Sequence, residues 1–277
     1  MDRREKLLSG LSLSHKTGAE IGALCRPFIT RPEHQVFYVD HASTQTLQEK
    51  YRHDPGVIVE EIVDVDAVWG EQTLAQALGR KVDYVVASHV IEHVPDLITW
   101  LEELGSILND NGEIRLIIPD KRFTFDYLRA TTRLSDVVYA NVVKARFPQA
   151  HTVLDYVLNV VKLDGSQAWR GSVEPARLEK HHTLSDARGI ARQILDSGAY
   201  HDVHCWVFTP RSLALLFVEL LDHGLLTFEC VNFHDTAYGT NEFFLGLKHT
   251  SNLSRARDSW LAVAAAAKAI KTEPSSH

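Results

Sequence analysis

Several histidines in this 277-residue chain stand beside carboxylates and aromatic rings, in patterns that could move a proton. An imidazole gains and loses its proton near neutral pH, which makes it the usual choice for that task. The chain has 15 histidines, so abundance alone selects none of them. The strongest segment is Tyr200-His201-Asp202-Val203-His204-Cys205-Trp206-Val207-Phe208-Thr209-Pro210. His204 is the leading candidate for a general base, with Asp202 or another nearby carboxylate to orient it; the alternative is that it caps or buttresses the following helix. A second cluster is Ser88-His89-Val90-Ile91-Glu92-His93-Val94, in which His89 is a further candidate and His93 reads as a hydrogen-bonded structural histidine. The third is Pro119-Asp120-Lys121-Arg122-Phe123-Thr124-Phe125-Asp126-Tyr127. There Asp120 is another candidate for proton removal, Lys121 and Arg122 could hold a polar or anionic ligand, and Tyr127 could stack on a ring. A solvated Lys-Arg pair is the ordinary alternative. His181 and His182 are kept as ligand-binding candidates. No metal is expected from them, because adjacent histidines point differently and no further ligand pair accompanies them.

These side chains need a frame, and residues 82–120 supply part of it. The apolar, β-branched run 82–87 has the pattern of a parallel strand buried on both faces. Pro95 suits a first helical turn; Leu97, Ile98, Leu101, Leu104, Ile107 and Leu108 then recur on one face, and Asn111-Gly112 stops the helix. Residues 114–118 give a second strand, so the segment is a βαβ unit with a right-handed crossover. Open parallel sheets bind ligands beyond the carboxyl ends of their strands. Ser88, His89, Glu92 and His93 follow one such end, and Pro119, Asp120 and Lys121 follow the other.

Shorter strand patterns at 19–21, 36–39 and 62–65 alternate with helical patterns at 44–51 and 70–78, which implies an α/β sheet. Residues 121–204 hold helical patterns at 137–145 and 153–161 but no run of buried strand, and read as an insertion over the carboxyl-end pocket. Thr209-Pro210 then opens a helix over 213–221 that stops at Gly224. Strands at 228–233 and 242–247 follow, and the short link between them makes the pair antiparallel. An Ala-rich segment at 254–271 reads as a terminal helix with a frayed end.

Composition narrows the class of function. With 45% hydrophobic residues the chain can bury a sizeable core. A net charge of −7 without a basic run argues against a nucleic-acid or anionic-membrane surface. Cys25, Cys205 and Cys230 match no zinc spacing and cannot all pair, which suits a reducing compartment. No apolar run approaches the roughly 20 residues of a membrane span. The charged amino terminus lacks the apolar core of a signal peptide. A cytoplasmic location is expected.

Gly18-Ala19-Glu20-Ile21-Gly22, Asp40 after the second strand, Asp66 after the third, the Ser88–Val94 segment and the final antiparallel pair occur in an order that resembles the class I S-adenosylmethionine-dependent methyltransferases, over residues 18–120 and 205–249. The resemblance implies a Rossmann-like, seven-stranded α/β sheet with an antiparallel last strand, plus a mainly helical insertion after the fifth strand. It divides the chain into a cofactor-binding domain (1–120 and 205–250), an acceptor-binding insertion (121–204) and a C-terminal helix and tail (251–277). It further implies that S-adenosylmethionine is bound by Glu20, Gly22, Asp40, Asp66, Ser88 and His89. In that scheme Glu20 and Gly22 open the loop around the methionine part, Asp40 holds the ribose hydroxyls, and Asp66 meets the adenine amino group. Ala23-Leu24-Cys25-Arg26-Pro27 departs from the family's fuller glycine pattern. A looser similarity to bacterial methyltransferase-domain proteins of cell-surface polysaccharide biosynthesis suggests O-methylation of a sugar with a histidine base. A small-molecule N- or O-methyltransferase of secondary metabolism and a non-catalytic cofactor-binding module are the alternatives. The expected partner is a small-molecule or glycan acceptor, with a homodimer left open; neither nucleic acid nor membrane insertion is expected.

Overall fold

A computed structural model of the chain describes residues 1–267. Its centre is one sheet of seven strands: β1 (Thr17–Ile21), β2 (Gln35–Asp40), β3 (Ala67–Val68), β4 (Val82–Ser88), β5 (Leu108–Pro119), β6 (Phe228–His234) and β7 (Glu242–His249), in the order β3-β2-β1-β4-β5-β7-β6. β1 to β5 run parallel, and β7 is antiparallel to both β5 and β6. The order reverses between β1 and β4, where the register pairs Ile21 with Ala87. The crevice beyond those two carboxyl ends is where such sheets hold ligands.

The helices are α1 (Arg3–Leu7), α2 (Thr44–Tyr51), α3 (Leu74–Leu78), α4 (Leu97–Ser106), α5 (Leu134–Val142), α6 (Ala150–Asn159), α7 (Gly165–Trp169), α8 (Leu184–Ser197), α9 (Pro210–Asp222) and α10 (Leu253–Ala266). Successive strand residues point to opposite faces, and both faces are covered. Ala19, Ile21, Val85, Ala87, Leu116 and Ile118 meet the apolar sides of α4, α9 and α10. Tyr84, Val86, Ile117 and Phe244 meet Leu7 of α1 and Ala23 and Ile29 of the loop after β1. Gly18 is fixed by this second face, since a Cβ there would lie 2.0 Å from the Tyr84 ring. α9 starts where the sequence says it should: Thr209 and Ser212 close a capping box and Pro210 occupies the first turn.

Residues 121–204 form α5 to α8 and two short turns, and contribute no strand to the sheet. Val137, Val153, Val157, Ala187 and Ile194 of this segment join the same core as α4 and α9, so the segment is anchored to the body by apolar burial. No helix among the described residues is long and apolar enough to cross a membrane.

Two details differ from the sequence reading, and one lies partly outside the described residues. The third strand is Ala67–Val68, not 62–65; residues 59–61 form a 3-10 turn, and Ile62 packs in a small cluster with Cys25 and Leu47. Helix α4 ends at Ser106, well before Asn111-Gly112. Ile107 and Leu108 continue the helical period yet cap the helix and open β5, and residues 109–112 bulge outward as the register jumps from Val82/Leu108 to Tyr84/Glu113. The terminal helix is described to Ala266, so the remainder of the 254–271 pattern beyond residue 267 lies outside the described residues.

Candidate functional site

The loop leaving β1 is shaped by two residues. Gly22 has φ +69°, a left-handed conformation that suits glycine, and a Cβ there would stand 3.0 Å from Val90 Cγ2 in the loop after β4. Leu24 also has a positive φ, of 49°, so the backbone keeps a glycine-like turn where the sequence lacks the glycine. Glu20 turns away from the crevice. It is 2% exposed, and its two carboxylate oxygens accept the amides of Phe28 and Ile29 at 2.8 and 2.9 Å. Glu20 therefore braces the loop from behind instead of facing a ligand, which corrects its expected direct role.

Burial pushes the Glu20 carboxyl from its ordinary 4.5 up to about 7, against the pull of those two amides and of Arg4. An acid raised in this way adds stability that is complete below its ordinary value and is lost as pH rises through the folded one. Unfolding free energy is expected to fall by on the order of 3 kcal/mol from this source between pH 4.5 and just above 7. Denaturant titrations should show that fall shrink in Glu20→Gln; an unchanged slope would assign it to other groups.

Asp40 closes β2, and its Oδ1 accepts the His41 amide at 2.7 Å and contacts His41 Nδ1 at 2.6 Å. Asp66 is a correction. It precedes β3 instead of following it, and its carboxylate accepts the Tyr38 amide and pairs with Arg31. Trp69 and Gly70 are the residues beyond β3. Ser88 ends β4, pairing with Ile117 of β5, and places His89 at the crevice with φ +53°. A positive φ is uncommon for a residue with a side chain, and such strain collects at functional sites.

A cavity of about 740 Å³ opens beyond the ends of β4 and β5, with His89, Pro119, Phe125, Lys162, Asp164, His181, His204 and Asn241 in its wall. His204 is 8% exposed, and its Nδ1 lies 2.5 Å from Asp126 Oδ2. Asp126 in turn accepts Arg129 Nη1 at 2.8 Å. Burial alone would raise the Asp126 carboxyl, but the His204 hydrogen bond and the Arg129 charge outweigh it and hold it below the ordinary range. An ionised Asp126 only accepts, so Nδ1 carries the proton and Nε2 is left as the basic nitrogen. The expected orienting partner Asp202 instead contacts His93 Nδ1 at 2.8 Å. The His93 ring meets the His204 ring edge-on at 4.7 Å between centroids.

The other expected residues are placed differently. Asp120 is fully buried; it accepts Arg122 Nε at 2.9 Å and Thr236 Oγ1 at 2.8 Å, which makes it a structural partner and not a free base. Arg122 is committed to that ion pair. Lys121 donates Nζ to the Tyr127 carbonyl at 2.8 Å, and burial lowers its pKa. None of Lys121, Arg122 and Tyr127 lines the cavity. His181 does line it; His182 is exposed beside it, their rings 6.3 Å apart. Sequence reasoning missed Asp126, which stands 78 residues from its partner, and gave no role to Phe125, whose ring packs 4.7 Å from that of His204.

The sequence matches the family model described as a methyltransferase domain over residues 17–220. A search of curated proteins finds no match. Among solved structures, a Rhodobacter sphaeroides protein named for zinc-dependent alcohol dehydrogenases is similar at 13% identity, covering 91% of each chain with a TM-score of 0.47. The CcbJ methyltransferase of Streptomyces caelestis is similar at 13% identity, covering 90% of this chain and 89% of its own, with a TM-score of 0.44. The glycopeptide N-methyltransferase MtfA, complexed with S-adenosylhomocysteine, shares 11% identity over 89% of this chain and 88% of its own, with a TM-score of 0.42. The family match spans most of the chain, across the parallel strands, the Gly22 turn and the cavity floor. The chain belongs to the methyltransferase domain family and is a class I S-adenosylmethionine-dependent methyltransferase.

Proposed function

We propose that this enzyme O-methylates a sugar hydroxyl of a nucleotide sugar, lipid-linked glycan or polysaccharide precursor, with His204 receiving the hydroxyl proton. The observation that carries the reading is the His204–Asp126 pair on the floor of the large cavity at the strand ends. The cavity suits a sugar because hydroxyl-bonding groups (Thr124, Lys162, Asp164, Asn241) stand beside the rings of Phe123 and Phe125. We assign residues 121–204 the role of acceptor binding on the same ground, since most of those groups come from that segment.

S-adenosylmethionine, when bound, supplies a methyl group from a sulfonium. The fit of this chain to it rests on the Gly22 turn, which leaves room for close backbone approach, and on Asp40, whose carboxylate can accept two hydroxyls. Ser88 and His89 would border the reacting side, and Trp69 and Gly70 take the place first given to Asp66. The acceptor hydroxyl loses one proton as its oxygen gains the methyl group. Nε2 of His204 takes that proton, and the ionised Asp126 stabilises the imidazolium that results. Phe125 and Tyr156 pack about the His204 ring and hold its orientation.

Two experiments bear on this assignment. Methyl-labelled S-adenosylmethionine offered with a panel of nucleotide sugars should yield a product labelled on oxygen; label on nitrogen alone would overturn the sugar reading. Gly22→Val should weaken S-adenosylhomocysteine binding in calorimetry by at least tenfold, because a β-branched side chain at positive φ is strained and meets Val90. Normal binding would move the cofactor loop elsewhere.

A further inference from the structure

Glu92 is the least explained polar residue of the site. It is completely buried, and neither carboxylate oxygen has a hydrogen-bond partner. An unpaired buried carboxylate is expensive, so buried charges are normally paired or bound to metal. Three histidines surround it. His89 Nδ1 stands 3.5 Å and His93 Nε2 3.9 Å from Glu92 Oε1, and His204 completes a group whose donor atoms with those of Glu92 and His93 all lie within 4.8 Å of one another.

Each of these histidines is held through its other nitrogen by a carboxylate. His93 Nδ1 meets Asp202 at 2.8 Å, His204 Nδ1 meets Asp126 at 2.5 Å, and His89 Nε2 meets Glu242 at 2.9 Å. A carboxylate behind the imidazole is the usual support of a metal-ligating histidine, fixing its tautomer and raising its basicity. Backbone contacts keep the group together: the Glu92 carbonyl accepts the Cys205 and Trp206 amides at 2.6 and 3.1 Å, and Trp206 Nε1 donates to the Val94 carbonyl.

We infer that Glu92, His93 and His204 bind a divalent transition-metal ion at the cavity floor. Two imidazoles and one carboxylate form a ligand set suited to zinc, cobalt or iron, with further positions left open. Such an ion would sit about 2.0–2.2 Å from each donor, so the three side chains must draw together by roughly an ångström. The inference deepens the proposed function and rests on it in placing the acceptor above His204. The His204 Nε2 cannot accept a proton and ligate an ion at once, so the proton-accepting role proposed above belongs to the ion-free protein.

The test is a cobalt(II) titration of the chelator-treated, full-length protein, read by the visible d–d bands of a low-coordinate site and by metal stoichiometry. One equivalent is expected, with bands that vanish in Glu92→Gln and in His93→Asn. Asp202→Asn should weaken cobalt affinity about 10- to 100-fold. S-adenosylhomocysteine affinity, measured on the same samples, reports the fold of each variant separately; should one variant fail that check, the other carries the test. Absence of stoichiometric binding, or bands that persist in both variants, would overturn the metal site. That result leaves the proposed function to stand or fall on the transfer assay with the ion-free protein.

Discussion

His204→Ala is expected to lower the rate of methyl transfer by roughly 10²–10⁴, the usual contribution of a positioned acid or base. Cofactor affinity should stay nearly unchanged, because His204 enters the cavity from the segment between α8 and α9, away from β1 and β2. Asp126 stays ionised to lower pH than an ordinary carboxyl, so it remains the acceptor that orients the His204 ring. Asp126→Asn should therefore lower the rate less than His204→Ala, because it weakens the orienting contact and keeps the imidazole. Single-turnover measurements on both variants check these statements. A normal rate in His204→Ala would make the residue structural.

Asp40→Ala is expected to weaken S-adenosylhomocysteine binding by about 2–4 kcal/mol, or roughly 30- to 10³-fold, because the two charge-assisted hydrogen bonds to the ribose that we propose for Asp40 would be lost together. The fold should survive: Asp40 ends β2 at the strand's carboxyl edge and contacts its neighbour His41, not the core. Isothermal calorimetry on the variant, with its thermal unfolding as a control, checks the prediction. Unchanged affinity would remove Asp40 from the cofactor site.

The sheet was legible because its strands are written as apolar runs long enough to be buried on both faces. β4 and β5 are the clearest, and β6 and β7 declare their antiparallel pairing through a short link. β3 was not legible: only Ala67 and Val68 pair with β2, at the edge of the sheet, whereas residues 62–65 look more strand-like and are used in a loop. The end of α4 was misread because Ile107 and Leu108 fit the helical period, while their burial comes from the start of β5. Asp66 moved with the misplaced third strand.

Part of the cavity wall was legible in the sequence, but its partners were not: His89, His181 and His204 line the cavity, whereas Asp120, Lys121, Arg122 and Tyr127 do not. Sequence order put Asp202 next to His204, yet the chain path sends Asp202 to His93 and brings Asp126 from the far end of the insertion. Asp120 and Arg122 looked like free chemistry and instead form an ion pair with each other. Nothing in the local sequence marks Glu92 as buried without a hydrogen-bond partner, because that condition depends on segment 204–206 folding back over it.

The most direct measurement is the position of the methyl group in the product of a reaction with a sugar acceptor, determined by mass spectrometry and NMR for the wild type and for His204→Ala. One methyl group on a sugar oxygen, formed by the wild type and lost by two or more orders of magnitude in the variant, is the predicted result. A methyl group on nitrogen, or oxygen methylation at equal rates in both proteins, would contradict it.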